Sequence, residues 1–171
     1  MLNNKTINEI KYSKERKSYT KKNLMISCIE NNDIENLKTL IKEDGVDIGI
    51  DRLNWTYLHY AAFHNNVAAA KEFLKAGLKI DELDNHKETP LYIAVSNESI
   101  DMINFLTKHN ANILNKDIFG YTALDIAKIR DLYTKHKYEK QITSEILNIL
   151  ETKLLEQQKN KKIIQNIEKS R

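Results

Sequence analysis

The 171-residue chain is 41% hydrophobic and 30% charged, close to the globular average, which excludes a wholly disordered chain. No apolar run approaches the roughly 20 residues that a bilayer span requires. The formal net charge of +3 conceals an acidic body between basic ends: residues 1–22 sum to +5, residues 23–150 to −5 and residues 151–171 to +3.

The N-terminal stretch "MLNNKTINEIKYSKERKSYTKK" has basic residues but no apolar core behind them, so it does not read as a secretory signal. The expected location is the cytoplasm, or a host cell reached by a route without a conventional signal peptide. Residues 1–22 read as disordered or weakly helical. The lone cysteine, Cys28, excludes an internal disulfide framework and a multi-cysteine zinc site, and fits a reducing compartment.

From Asn23 onward the chain repeats itself. "TYLHYAA" starts at Thr56, "TPLYIAV" at Thr89 and "TALDIAK" at Thr122, each offset by 33 residues, with Asp51, Asp84 and Asp117 five residues ahead of each Thr. A divergent earlier unit, 23–55, places Met25 and Cys28 at the Leu and Ala positions of "LMISCIE". Inside each unit the apolar residues recur at helical spacing twice: Leu58, Ala61 and Ala62, then Ala69, Phe73 and Leu74; Leu91, Ala94 and Val95, then Ile103, Phe105 and Leu106. Gly45, Gly77 and Asn110 follow the second helices and suit a left-handed C-cap. Each unit therefore reads as helix, turn, helix and a loop leading to the next Asp. A period near 33 with this order is the mark of a stacked solenoid.

These residues resemble the ankyrin repeat, with its Thr-Pro-Leu-His-x-Ala-Ala opening and Asp-x-x-Gly lead-in. Units 56–88 and 89–121 match best, and the resemblance spans about residues 23–130. It implies an all-α solenoid of stacked helix-turn-helix units with hairpin-like loops. Where the family has Gly between helices this chain has Asn32, Asn65 and Glu98; in the lead-in it has Asn54 and Lys87. Asn tolerates positive φ, whereas Lys87 and Glu98 do so at greater cost, and local deviation is expected at those two sites. Residues 122–156 read as an atypical capping unit in which "IRDLYTKHKYEKQ" inserts about ten residues before an apolar helix carrying Ile146, Leu147, Ile149, Leu150 and Leu154. Residues 157–171 continue it as a charged helix or a disordered tail.

Candidate chemistry is sparse. His59 and His64, five residues apart, diverge by about 140° on a helix, a poor metal pair, and His59 occupies the position where the resemblance implies a hydrogen bond between units. Cys28 falls at a small-residue packing position. The recurring Asp residues each serve their own loop through backbone N–H groups and form a ladder of solvated acids. No catalytic residue, metal site or cofactor is expected, and the chain reads as a non-enzyme.

The resemblance instead implies a protein partner, held by the concave face and loop tips. Carried over position by position, the partner-binding residues are Leu53, Trp55, Phe63, His64, His86, Glu88, Asn97, Phe119 and Tyr121, with large apolar groups of the kind that supply interface hot spots. Trp55 and Tyr121 are expected to lie outside the packed framework. The chain reads as a monomeric scaffold, and its AT-rich composition resembles ankyrin proteins of intracellular bacteria, which suggests a host-directed effector. The alternative is an adaptor that contacts nucleic acid or an acidic membrane surface through the basic N-terminal segment; the glutamates interrupting that segment and the acidic body disfavour nucleic acid.

Overall fold

The computed structural model describes residues 21–46 and 51–169. Helix α1 occupies residues 21–30 and is followed by α2 (Ile34–Asp44), α3 (Tyr57–Phe63), α4 (Val67–Lys75), α5 (Pro90–Ser96), α6 (Ile100–Lys108), α7 (Ala123–Tyr133) and α8 (Lys137–Lys169). Among the described residues there is no strand, only an isolated bridge between Lys116 and Thr122. The basic segment expected to be disordered or weakly helical lies outside the described residues up to position 20, while Lys21 and Lys22 already belong to α1.

The repeated Thr starts each first helix. Thr56, Thr89 and Thr122 sit in extended backbone as N-caps, and their hydroxyls accept the N–H of His59, Tyr92 and Asp125 at 3.4, 3.2 and 3.2 Å. Pro90 occupies the first turn of α5, where its missing N–H costs nothing. Second helices are capped by Asp33 and Asn66. Ser99 makes no side-chain cap for α6; the Met102 N–H donates instead to Asn65 Oδ1 of the preceding unit, at 3.0 Å. Asn66 Nδ2 likewise reaches the Ile29 carbonyl at 2.8 Å. Caps thus double as ties between units.

The helices form two layers. α3, α5 and α7 pack in sequence in one, and α2, α4, α6 and α8 in the other, with α3 on α4, α5 on α6 and α7 on α8 joining the layers. Between them runs one continuous core, from Met25 and Ile29 through Leu37, Tyr57, Leu58, Phe73, Leu91, Met102, Leu106 and Ile113 to Ile146 and Leu150. Tyr57 stacks on Phe73 with centroids 5.4 Å apart. Ala61, Ala94 and Ala127 are buried at the same register, and Cys28 joins them as a small apolar group.

One expectation needs correction. Lys87 and Glu98 do not deviate: both keep positive φ, at 58° and 55°, as do Asn32, Asn54, Asn65 and Asn110. The surroundings overdetermine them. Lys87 N–H donates to Asp84 O at 3.0 Å within a loop pinned at both ends, and Glu98 is held by its own N–H on Val95 O (3.1 Å) and by Ser99 N–H on Ala94 O (2.9 Å). The insertion before the last helix is largely helical. It lengthens α7 to 11 residues, against seven in α3 and α5, and begins the 33-residue α8. Ile146 and Leu150 of the expected apolar stripe are buried and Leu147, Ile149 and Leu154 partly so. Gln157 Nε2 reaches Ala111 O at 3.1 Å; residues 158–169 continue the helix with every side chain exposed.

Left-handed backbone costs an ordinary residue about 1–2 kcal/mol. Lys87→Gly is expected to raise the stability in urea by about 1 kcal/mol, whereas Glu98→Gly, which also removes an ion pair to Arg130, gains less. A Lys87→Gly midpoint at or below that of the parent chain would show that the loop does not store this strain.

Candidate functional site: the lead-in loops and first helices

The lead-in loops 51–55, 84–88 and 117–121 share one geometry. In each, the leading Asp Oδ1 accepts two N–H groups of its own loop: Leu53 and Trp55 on Asp51, both 2.9 Å; His86 and Glu88 on Asp84, both 2.8 Å; Phe119 and Tyr121 on Asp117, 2.9 and 2.8 Å. A tight turn with positive φ follows at Asn54, Lys87 and Gly120. Successive loops are then hydrogen-bonded to each other, Asn85 N–H to Leu53 O and Ile118 N–H to His86 O, each at 2.9 Å. Asn85 Nδ2 adds a bond to Arg52 O at 2.8 Å.

The expected ladder of solvated acids is not what forms. Asp84 and Asp117 are buried, because an aromatic donor satisfies the second oxygen of every leading Asp. Tyr60 OH donates to Asp51 Oδ2 (2.7 Å), Trp55 Nε1–H to Asp84 Oδ2 (3.0 Å) and Tyr92 OH to Asp117 Oδ2 (2.9 Å). Burial alone pushes the Asp117 carboxyl up, but hydrogen bonds from Tyr121, Tyr92 and Phe119 outweigh it and hold the pKa below the ordinary value.

His59 has the bridging role that the resemblance implies. Thr56 N–H donates to its Nδ1 at 3.1 Å, which fixes the tautomer, so Nε2–H donates to Glu88 O of the next loop at 3.1 Å. Burial depresses its pKa below the ordinary 6.5, against the opposing pull of the Glu88 carbonyl and of Asp84 and Asp51. In the last unit Asp125 stands at this position and closes the capping box with Thr122, but has no further loop to reach.

The stacked loops bring the sequence-derived surface residues into rows. Leu53, His86 and Phe119 occupy one register, and Trp55, Glu88 and Tyr121 the next. Leu53, Phe119 and Tyr121 are exposed, Phe119 by 78%, and Ile118 beside it by 48%. Phe63, His64 and Asn97 are exposed at the ends of the first helices, with Asn97 Nδ2 folded back onto Ile93 O. Trp55 departs from expectation. It is partly buried in an aromatic cluster, 5.3 Å from Tyr60, 5.8 Å from Phe63 and 6.1 Å from His59, and its indole N–H is committed to Asp84, so it belongs to the framework as well as to the surface. His64 meets Phe63 edge-on and approaches Glu30 of the first unit at 3.7 Å.

Asp84, His86 and Glu88 place potential metal-ligand atoms within 4.8 Å of one another, alone among the described residues. Both Asp84 oxygens are already occupied, one by two backbone N–H groups and one by Trp55, so coordination there would break the junction. The aromatic donors, which reach the Asp from 9, 29 and 25 residues away, were not anticipated from the sequence; only Trp55 and Tyr60 on either side of Thr56, and Tyr92 just after Thr89, hinted at them.

Trp55→Phe, which keeps the ring but strands Asp84 Oδ2, is expected to destabilise the fold by about 1.5–3 kcal/mol in urea unfolding. For His59, the unfolded chain takes up a proton at a higher pH than the folded chain does. Its stability contribution is therefore complete above pH 6.5 and declines as pH falls below that value. Unfolding followed by far-ultraviolet dichroism across this window should show that slope, and His59→Gln should flatten it.

Similarity to known proteins agrees with this geometry. The family model for ankyrin repeats, three copies long, matches residues 3–84 and 24–117. The chain is 32% identical over 88 residues to ankyrin repeat and SOCS box protein 11 of Mus musculus, covering 52% of this chain and 27% of that protein. It is 34% identical over 108 residues to an ankyrin repeat protein, FPV034, of Fowlpox virus (strain NVSL), covering 63% and 25%. It is also 39% identical over 54 residues to the potassium channel AKT2/3 of Arabidopsis thaliana, covering 32% and 7%. The matches thus span a quarter or so, or much less, of each relative's length. By its repeat period, its Asp-centred loops and these matches, the chain belongs to the ankyrin-repeat family.

Proposed function

We propose that this chain is a non-catalytic recognition module that grips one protein partner with its lead-in loops and first helices. Ankyrin repeats are protein–protein interaction modules, and the observation that carries the finer reading is the fixed register of the three loops. Asp-centred turns and inter-loop bonds hold Leu53 at one end of the loop row and Ile118, Phe119 and Tyr121 at the other outward at set spacing, so a partner meets ordered apolar groups and little ordering entropy is lost on binding. Phe63, resting on Trp55, and His64 against it extend that surface across α3, while His86 and Glu88 of the middle loop set polar groups between the apolar ones and Asn97 adds one at the end of α5.

The titratable groups support this reading over catalysis. Both ring nitrogens of His59 are committed. Burial, with Asp33 nearby, pushes the Cys28 thiol up, away from the reactive thiolate. No helix among the described residues is long and apolar enough to cross a membrane.

Phe119→Ala combined with Tyr121→Ala is expected to weaken binding of a captured partner by at least about tenfold while leaving the melting temperature unchanged, because both side chains are exposed. Affinity enrichment with the full chain, followed by titration of the captured protein against parent and double variant, tests this. Equal affinities would remove the loop row from the interface.

A further inference from the structure

We propose that the corner between α7 and α8 is a second docking surface, built for an acidic protein segment that carries an apolar or aromatic anchor. It is separate from the loop row and does not rest on that assignment: α7 begins at the last lead-in loop, and its 11 residues carry the corner roughly 16 Å away along the helix axis.

Three observations converge on it. The first is apolar exposure. Leu132, Tyr133 and Tyr138 are exposed by 74%, 75% and 75%, and all lie in the insertion that interrupts the repeat pattern. Tyrosines of this kind, held on rigid elements, are the usual anchors of an interface. Tyr133 borders a cleft of about 560 Å³ whose wall includes Glu98, Arg130, Lys135, His136 and Glu139.

The second is rigidity. Asp131 near the end of α7 gathers three donors from the start of α8: Lys140 Nζ at 2.7 Å, Thr143 Oγ1 at 3.0 Å and Ser144 Oγ at 3.0 Å. Lys140 Nζ also bonds the Asp131 carbonyl, and Thr134 Oγ1 closes α7 on Arg130 O at 2.7 Å. The corner is a fixed bend, so its aromatics are presented without a large ordering cost.

The third is charge. Arg130 is held by Glu98 through Nη2 and Nε at 2.8 and 3.1 Å, and Lys140 is held by Asp131. Those cations are neutralised within the fold. Lys135 and Lys137 are exposed and form no salt bridge among the described residues, against one acid beside them that is likewise outside the salt bridges, Glu139. The unpaired charge flanking Tyr133 and Tyr138 is therefore net positive, and its complement is a carboxylate-rich segment.

A short-peptide phage library selected on the full chain tests this, with enriched sequences resynthesised and titrated by fluorescence anisotropy. Supporting results are acidic sequences containing an aromatic or Leu anchor, about tenfold or greater loss of affinity with Tyr133→Ser/Tyr138→Ser, a comparable loss with Lys135→Glu/Lys137→Glu, weakening at high salt, and unchanged affinity with Phe119→Ala/Tyr121→Ala. The lysine pair keeps the test decisive should the tyrosine pair fold poorly. The proposal is overturned if nothing is enriched, if enriched peptides are not acidic, or if they bind through Phe119 and Tyr121 instead. It is equally overturned if light scattering shows a dimer that the Tyr133/Tyr138 variant dissolves, because a second copy would then cover the patch. Loss of the loop-row assignment alone would leave these outcomes unaffected.

Discussion

A buried carboxylate is stable only when its oxygens are hydrogen-bonded, and the lead-in Asp meets that requirement with partners from two levels of structure. Two backbone N–H groups of its own loop take one oxygen, and an aromatic N–H or O–H takes the other. The first pair sets the loop's shape. The aromatic bond fixes the loop to a helix or to the neighbouring loop, so local turn geometry and the stacking of units are one constraint. Inter-loop backbone bonds, the His59 bridge and the outward rows of side chains all follow from it.

Much of this architecture was legible in the sequence because a repeat restates its own rules. The 33-residue offset of Thr, Leu, Ala and Asp located the caps, the core and the turns, and positive φ at Gly45, Gly77 and Asn110 was readable from residue type. What stayed hidden depends on contacts between distant residues. Trp55 and Asp84 are 29 positions apart, and nothing local says that an indole beside a loop will face a carboxylate in the next unit; hence Trp55 read as surface. Lys87 and Glu98 misled in the opposite direction, because their intrinsic preference opposes the backbone that the surrounding hydrogen bonds impose. The segment 129–141 read only as an insertion into the repeat, and its geometry depends on Asp131 meeting Lys140, Thr143 and Ser144 to make a corner.

The candidate surfaces divide along the same line. Positions on the loop row were readable from repeat register, which fixes where a side chain leaves the backbone. The exposed tyrosines of the corner lie where register ends, and only the folded arrangement of α7 against α8 shows that Tyr133 borders a cleft. One surface is thus set by periodicity and the other by its interruption, and substitutions in one need not disturb the other, since distant sites with no shared partner act nearly additively.

The disparity in helix length also bears on how the chain folds. A helix of seven residues lies well below the roughly 12–15 at which isolated helices become marginal in water, so α3 and α5 have no independent existence. α8, at 33 residues, exceeds that threshold and packs on α7 through contacts close in sequence. Nucleation therefore belongs at the C-terminal end, with the shorter units added one by one against a surface already formed, a zipper that runs backward along the chain. In that order the amides of the first unit would be the earliest to exchange with solvent, and those where α7 meets α8 the last.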